Sequence, residues 1–364
     1  MTAQDSAAKK SYIPINKGHF ELDTPERMAA FSKNLGSDGE EAYRQYRAQW
    51  ESLPKSRKIA DYPLLVDLEL ASICNLKCPM CYTITDAFKG SVKRGLMKWS
   101  LFEKVIEEIA GKVHAVRLSL RGEPTLHKRF VDAIALAKSK GIQEVSCLTH
   151  GGKLDLEYFT ACAEAGIDWI TISIDGIGET YDNVRKPLTF DDTIRRLEEI
   201  KAYKARHGLV KPVIKVQGIW PAIRPDPTSY YRAIAPLVDL VAFNPLIDYL
   251  GKDDEIVFEE NFSCPQLYQR VVVGADGRVM MCSNDEDGEV IIGDAETQTI
   301  HEIWHGDKLA AMREKQSQKD GFLDIAICRK CYYPRKAVPD EKAMVDGREV
   351  WIENYVNRSQ EIGS

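Results

Sequence analysis

Three cysteines stand close together in Cys74-Asn75-Leu76-Lys77-Cys78-Pro79-Met80-Cys81, at spacing C-x3-C-x2-C. Thiolate is the usual protein ligand of iron–sulfur clusters. Three thiolates can hold three irons of a [4Fe-4S] cluster and leave the fourth iron open to a substrate or cofactor. A structural zinc site instead closes with four ligands, often as two C-x2-C pairs, so the triplet alone could also be half of such a site. A second group lies far along the chain: Cys264, Cys282, Cys328 and Cys331. Four thiolates so arranged suit zinc or a fully ligated iron–sulfur cluster. Seven of the nine cysteines thus fall into two groups, and only Cys147 and Cys162 stand alone. Clustered cysteines in a reducing compartment point to metal or catalysis rather than to disulfides.

The bulk composition limits what surrounds these groups. The chain has 364 residues, 44% hydrophobic and 29% charged, enough for one large domain and a smaller one. The net charge of −6 is mixed along the chain. No basic stretch argues for nucleic acid or an anionic membrane. Residues 1–20 lack the apolar run of a signal peptide, and no apolar run reaches membrane-spanning length. A cytoplasmic location is expected.

The elements that must position the cysteines follow from periodicity. Residues 1–60 read as a helical extension, with Thr24-Pro25 as N-cap and first helical residue and a second helix from Asp38 to Trp50. From residue 64, candidate strands Leu64–Ser72, Val116–Gly122, Glu144–His150, Trp169–Gly176, Pro212–Trp220 and Leu240–Ile247 alternate with helical patterns. The helices are Ser100–Ala110, His127–Lys140, Asp155–Ala165, Thr189–His207 and Thr228–Leu237, with Gly111, Gly141, Gly166 and Gly208 at helix ends. Such alternation implies α/β architecture with a parallel sheet, open and doubly wound or closed toward a barrel. The strands carry polar residues on one parity: Asp67 and Glu69; Arg117, Ser119 and Arg121; Thr171, Ser173 and Asp175; Lys215 and Gln217. The other parity is mainly Val, Leu and Ile. Successive side chains point to opposite faces, so the polar set is expected to line an interior. Cys147 and Thr149 share a face that their own pattern does not identify. Cys162 falls in a helix as core packing.

The cysteine triplet resembles the signature of the radical S-adenosylmethionine (SAM) superfamily. The resemblance implies a partial (β/α)6 TIM-like barrel over residues 61–250, with the cysteine loop after the first strand, where barrel folds place chemistry. It implies a [4Fe-4S] cluster on Cys74, Cys78 and Cys81 whose open iron chelates SAM. Arg121-Gly122-Glu123-Pro124 is similar to the family's Gly-Gly-Glu-Pro motif, with Arg121 in place of the first glycine; Gly122 and Glu123 would meet the amino group of SAM. Ser173-Ile174-Asp175-Gly176 with Arg185 resembles the pattern that approaches the SAM ribose and carboxylate, and an Arg fork suits a carboxylate. Met80 stands where the family usually has an aromatic residue and is expected near adenine, with Asn244 as a further contact.

The second group resembles the SPASM auxiliary iron–sulfur domain, in its shorter twitch form, over residues 251–335. That implies a small α+β domain, an Asp276-Gly277 hairpin, and one auxiliary [4Fe-4S] cluster on Cys264, Cys282, Cys328 and Cys331. Residues 336–364 read as a C-terminal helix. In twitch enzymes this architecture often serves oxidation of a sugar or cyclitol carbon. The expected function is therefore hydrogen abstraction by a 5′-deoxyadenosyl radical from a sugar, amino-sugar or cyclitol. Lys215 and Glu69 are the luminal candidates for acid–base work, and Cys147 is the candidate thiol if the reaction is instead epimerisation. Peptide modification and a non-catalytic iron–sulfur protein are the other readings. Expected partners are a small, carbohydrate-like molecule and a one-electron donor such as flavodoxin or ferredoxin, with no nucleic acid and no membrane.

Overall fold

A computed structural model describes residues 11–15, 17, 20–245 and 255–357. After the two-residue strand β1 (Phe20–Glu21) come six parallel strands: β2 (Leu65–Leu68), β3 (Ala115–Arg117), β4 (Glu144–Thr149), β5 (Trp169–Ser173), β6 (Val213–Ile219) and β7 (Leu240–Asn244). They pair in sequence order from β2 to β7, as a partial barrel requires. All six fall on their expected strands and each is shorter than expected, although β3 starts one residue earlier, at Ala115; Leu246 and Ile247 of the last expected strand lie outside the described residues.

Helices cover the outer face. Val66, Val116, Val145, Ile170, Ile172, Ile214, Val216 and Val241 share one core with Phe102, Phe130, Phe159 and Leu197 from the crossover helices. Burying each such side chain contributes roughly 1.5–3 kcal/mol. Thr24, Asp155, Thr189 and Asp226 cap their helices by accepting a backbone N–H three residues on, each worth about 1 kcal/mol. Gly111, Gly141, Gly166 and Gly208 end helices at positive φ, where L side chains are strained.

Two helices, α1 (Pro25–Leu35) and α2 (Glu40–Ser56), close the barrel at the N-terminal ends of its strands. Phe31 and Leu35 pack on Trp169, Val213 and Leu240. Tyr46 and Trp50 pack on Leu64, Leu65 and Ala115. The aromatic spacing on α2 is therefore a plug.

The smaller domain does not stand apart. Its strand β8 (Arg270–Val273) runs parallel to β2, and β9 (Arg278–Met280) and β10 (Ile291–Asp294) follow antiparallel. The barrel strands, β1 and this domain thus form one ten-stranded sheet. Trp304 Nε1 donates to the Ala60 carbonyl at 2.9 Å, docking the segment before β2 onto the same domain.

The C-terminal segment differs from its expectation. Residues 337–355 form a hairpin, β11 (Ala337–Val345) with β12 (Arg348–Tyr355), and no helix. Asp346 and Gly347 both have positive φ (49° and 79°), the geometry of a tight hairpin turn. Residues 358–364 lie outside the described part. No helix among the described residues is long and apolar enough to cross a membrane.

Candidate iron–sulfur and SAM site

The loop bearing Cys74, Cys78 and Cys81 leaves the C-terminal end of β2. Backbone contacts fold it tightly: Cys81 N–H donates to the Cys78 carbonyl (3.0 Å) and Leu76 N–H to Cys74 Sγ (3.4 Å). Cys74 is exposed, yet partial desolvation of its thiol raises it to about 11, with Glu123, Cys78 and Cys81 adding to the effect. Burial also raises Cys78, and Arg185 opposes it. Three cysteines on one tightly folded loop can present their sulfurs to a shared cationic metal core as thiolates, so the triplet fits the cluster expected of it.

The Gly-Glu-Pro turn is pressed against this loop. A Cβ on Gly122 would lie 2.4 Å from the Ile73 carbonyl oxygen and 2.5 Å from that of Ala71, so only glycine fits. Glu123 N–H donates to Ile73 O at 2.9 Å. The Glu123 carboxylate accepts from Thr125 Oγ1 (2.6 Å), Thr149 Oγ1 (2.7 Å) and His150 N–H (2.9 Å). His150 Nε2 meets Asn75 Oδ1 at 2.9 Å, tying the end of β4 to the cysteine loop. Across the rim, Arg185 grips Asp175 at 2.5–2.6 Å, and Ile219 N–H also donates to Asp175. Ser173 ends β5 opposite Gln217, and Asn244 ends β7 opposite Ile219. Met80 is half-buried in the loop. Of the SAM candidates, Met80 lies on the loop, Gly122, Glu123, Ser173, Asp175 and Asn244 lie at or just past the strands' C-terminal ends, and Arg185 caps the helix Glu179–Val184 that follows β5.

Below that rim, the register sets Asp67, Arg117, Ser146, Trp169 and Val213 on one row. Their parity is opposite to that of the helix-facing core, so they face the lumen. Asp67, fully buried, sits 2.8 Å from Arg117 and 3.2 Å from Arg270 of β8. Glu69, also fully buried, has both oxygens taken by Arg121, and Ala275 N–H donates to it at 2.9 Å. Such a carboxylate is a fastener. Lys215 differs. It is 7% exposed and makes no ion pair or hydrogen bond among the described residues. Its Nζ lies 5.9 Å from the Trp169 ring centre. Burial lowers its pKa, and Glu21 on β1 partly opposes this. Leu148, on the same lumen face, is 36% exposed, which shows open space there.

Cys147 lies elsewhere. It pairs with Ile170 on the helix-facing parity and belongs to the outer core with Cys162. Burial and Cys162 raise its thiol well above the ordinary value. The structure brings Lys215 and Glu69 to the lumen and sets Cys147 behind the strand.

The second cysteine group converges. Cys264, Cys282, Cys328 and Cys331 line one small cavity with Gln266, Asn284 and Tyr333. Burial pushes Cys264 up to about 12 and Cys331 up to about 11. Cys282 is raised further by burial and by the other three thiols. Four cysteine sulfurs around one small cradle fit a cluster ligated on every side, with no open coordination position.

Sequence reasoning missed Thr149, His150, Asn75, Arg270 and Gln316. Only the three-dimensional pairing of β4 with the loop, of β8 with β2, and of a helix with the second cradle reveals them.

Residues 68–214 match the Radical SAM superfamily model, and residues 264–332 match the SPASM iron-sulfur cluster-binding domain. Among curated relatives, a tungsten-containing aldehyde ferredoxin oxidoreductase cofactor-modifying protein of Pyrococcus furiosus is 28% identical over 41% of this chain and 42% of its own. An Fe-coproporphyrin III synthase of Methanosarcina barkeri is 28% identical over 51% of this chain and 45% of its own. The chain therefore spans less than half the length of these relatives. Among solved structures, BtrN in complex with AdoMet and 2-DOIA has a TM-score of 0.52 at 18% identity, covering 74% of this chain and 92% of that one. SuiB of Streptococcus suis bound to precursor peptide SuiA has a TM-score of 0.52 at 12% identity, covering 79% and 75%. At such identities the likeness is one of fold. The domain matches carry the cofactors: [4Fe-4S] clusters, one shared with SAM and one auxiliary. The chain carries a radical SAM domain followed by a SPASM iron–sulfur cluster-binding domain.

Proposed function

We propose that this radical SAM enzyme is a dehydrogenase for a small hydroxylated substrate, a sugar, amino-sugar or cyclitol, with the auxiliary cluster as electron acceptor. The observation that carries the reading is the auxiliary cradle. Its four cysteines leave no place for substrate, and its strand β8 is hydrogen-bonded directly to barrel strand β2. Electron transfer is the chemistry left to such a site.

When bound, SAM supplies a 5′-deoxyadenosyl radical and the auxiliary cluster supplies a sink for one electron. The protein's part is to hold the substrate and move its proton. With those groups bound, turning an H–C–OH carbon into C=O would require the chain to hold that carbon toward SAM and to take up the hydroxyl proton, while the hydrogen atom and the remaining electron would go to the groups it holds. Lys215 is the base on this reading. Burial lowers its pKa and so raises its neutral fraction near neutral pH. Gly122, Glu123 and Arg185 would orient SAM, with Ser173, Asp175, Met80 and Asn244 completing its contacts. Glu69 holds the frame through Arg121. BtrN, solved with 2-DOIA, supports the architecture for such a reaction and leaves the substrate to experiment. Cys147 is turned from the lumen, which weighs against its returning a hydrogen atom as in an epimerase. The location expected is the cytoplasm, with a flavodoxin- or ferredoxin-type protein as donor.

The test is anaerobic incubation of the reconstituted enzyme with SAM, reductant and hydroxylated metabolites, followed by mass spectrometry. The expected product is lighter by two hydrogens, formed one per 5′-deoxyadenosine, and Lys215→Met stops it while SAM is still cleaved. A product of unchanged mass carrying solvent deuterium on carbon refutes dehydrogenation.

A further inference from the structure

Among the described residues, one buried amide joins two of the auxiliary cysteines. Gln316, on the helix Asp307–Ser317, is 0% exposed. Its Oε1 accepts the backbone N–H of Cys264 at 3.2 Å, and its Nε2 donates to Cys328 Sγ at 3.3 Å. The first bond fixes the amide's orientation: an oxygen must face the Cys264 N–H, so the NH2 faces sulfur. A second side-chain amide repeats the contact. Asn284 Nδ2 donates to Cys331 Sγ at 3.3 Å, joined there by the Tyr333 backbone N–H at 3.4 Å.

We propose that Gln316 and Asn284 set the reduction potential of the auxiliary cluster, raising it so that the cluster accepts an electron from the barrel. The effect is electrostatic. A reduced cluster carries one more negative charge than an oxidised one, in a cradle lined by four cysteine sulfurs, three of them on buried residues. Adding that charge to a buried site is costly without compensation. An N–H pointed at a ligating sulfur stabilises the more negative state and raises the potential, a lever that hydrogen bonds to cluster sulfurs provide generally. Packing alone gives no reason for an amide here. A leucine at 316 fills a similar volume and leaves no polar group to satisfy, whereas glutamine is tolerated at full burial because both ends are bonded. The two amides serve different cysteines from different elements, so their effects add.

The proposal deepens the dehydrogenase reading, which needs an acceptor, but its test needs no substrate. The full-length protein, reconstituted with both clusters, is titrated electrochemically and followed by EPR. The signal that SAM perturbs belongs to the first cluster and the insensitive one to the auxiliary cluster. Gln316→Leu and Asn284→Ala should each move the insensitive midpoint to more negative potential, the double variant further, with the SAM-sensitive midpoint and iron content unchanged. Gln316→Glu keeps an acceptor for the Cys264 N–H but loses the donor to Cys328, so it should move the same way. An unchanged midpoint in a fully loaded Gln316 variant overturns the proposal. Should every Gln316 variant lose iron, Asn284→Ala decides alone, and no shift there overturns it. A shifted midpoint without dehydrogenated product leaves the tuning intact and removes the dehydrogenase reading.

Discussion

Arg121 holds both oxygens of Glu69 at 2.6 Å, and neither side chain is more than 2% exposed. The same guanidinium donates to the Glu286 carbonyl at 3.1 Å, and Glu69 accepts from Ala275 N–H. One ion pair therefore joins barrel strand β2, the turn that meets the cysteine loop, and the auxiliary domain. The residue that departs from the family's glycine thus has a structural use. Removing one partner of a buried pair leaves an uncompensated charge, at a cost of about 3–5 kcal/mol, while replacing both with apolar residues costs less. Arg121→Leu should lower the apparent thermal midpoint of the loaded protein well below that of Arg121→Leu with Glu69→Leu. Equal midpoints would show that the pair is not buried as described.

The cysteine loop depends on a glycine. At Gly122 an added Cβ meets two backbone oxygens of that loop at 2.4–2.5 Å, and backbone cannot swing aside. Gly122→Ala should destabilise by about 1–3 kcal/mol. It should also lose iron from the first cluster before the second, visible as loss of the SAM-sensitive EPR signal. Retention of that signal at wild-type strength would contradict the close approach.

The two clusters should be separable. Cys328→Ala with Cys331→Ala should reduce iron from roughly eight to roughly four per chain, with SAM cleavage surviving in part. Zinc at one per chain in protein purified without oxygen would count against an iron–sulfur cluster in this cradle.

A buried carboxyl at the barrel floor gives a pH signature. Glu144 is 8% exposed. Burial raises its pKa from 4.5 to about 7, with Asp168 adding to the shift and Arg47, Lys211 and Lys138 opposing it. The folded state holds a proton that the unfolded chain releases between those values. Its contribution is therefore complete below pH 4.5 and lost as pH rises toward 7, by up to about 3 kcal/mol. Glu144→Gln cannot ionise, so its stability should fall less than wild type between pH 5 and pH 8 (roughly the window above). Parallel pH profiles of the two proteins would show that the carboxyl is not desolvated.

Much of this was legible in the sequence for physical reasons. The period-two polar parity of Asp67, Glu69, Ser119, Ser173 and Lys215 marks a lumen, because no other face of a helix-covered parallel strand tolerates charge. Cys147 was not assignable, since cysteine suits either face; only its register opposite Ile170 decides. The C-terminal hairpin carried the Asp346-Gly347 turn signal, set between alternating residues, and the helical expectation passed over it. The pairing of β8 with β2 was not readable at all. Val271, Val272 and Val273 announce a strand, but which edge they join is fixed by the tertiary fold. The partners of Glu123 and of the auxiliary sulfurs were hidden for the same reason.

The most direct check of the central claim is 5′-deoxyadenosine formation by the anaerobically reconstituted, reduced protein supplied with SAM. The account predicts that it forms, that Cys74→Ala, Cys78→Ala or Cys81→Ala abolishes it, and that Cys328→Ala with Cys331→Ala only diminishes it. Wild-type protein with both clusters loaded and no 5′-deoxyadenosine, or undiminished formation in the triplet variants, would contradict it.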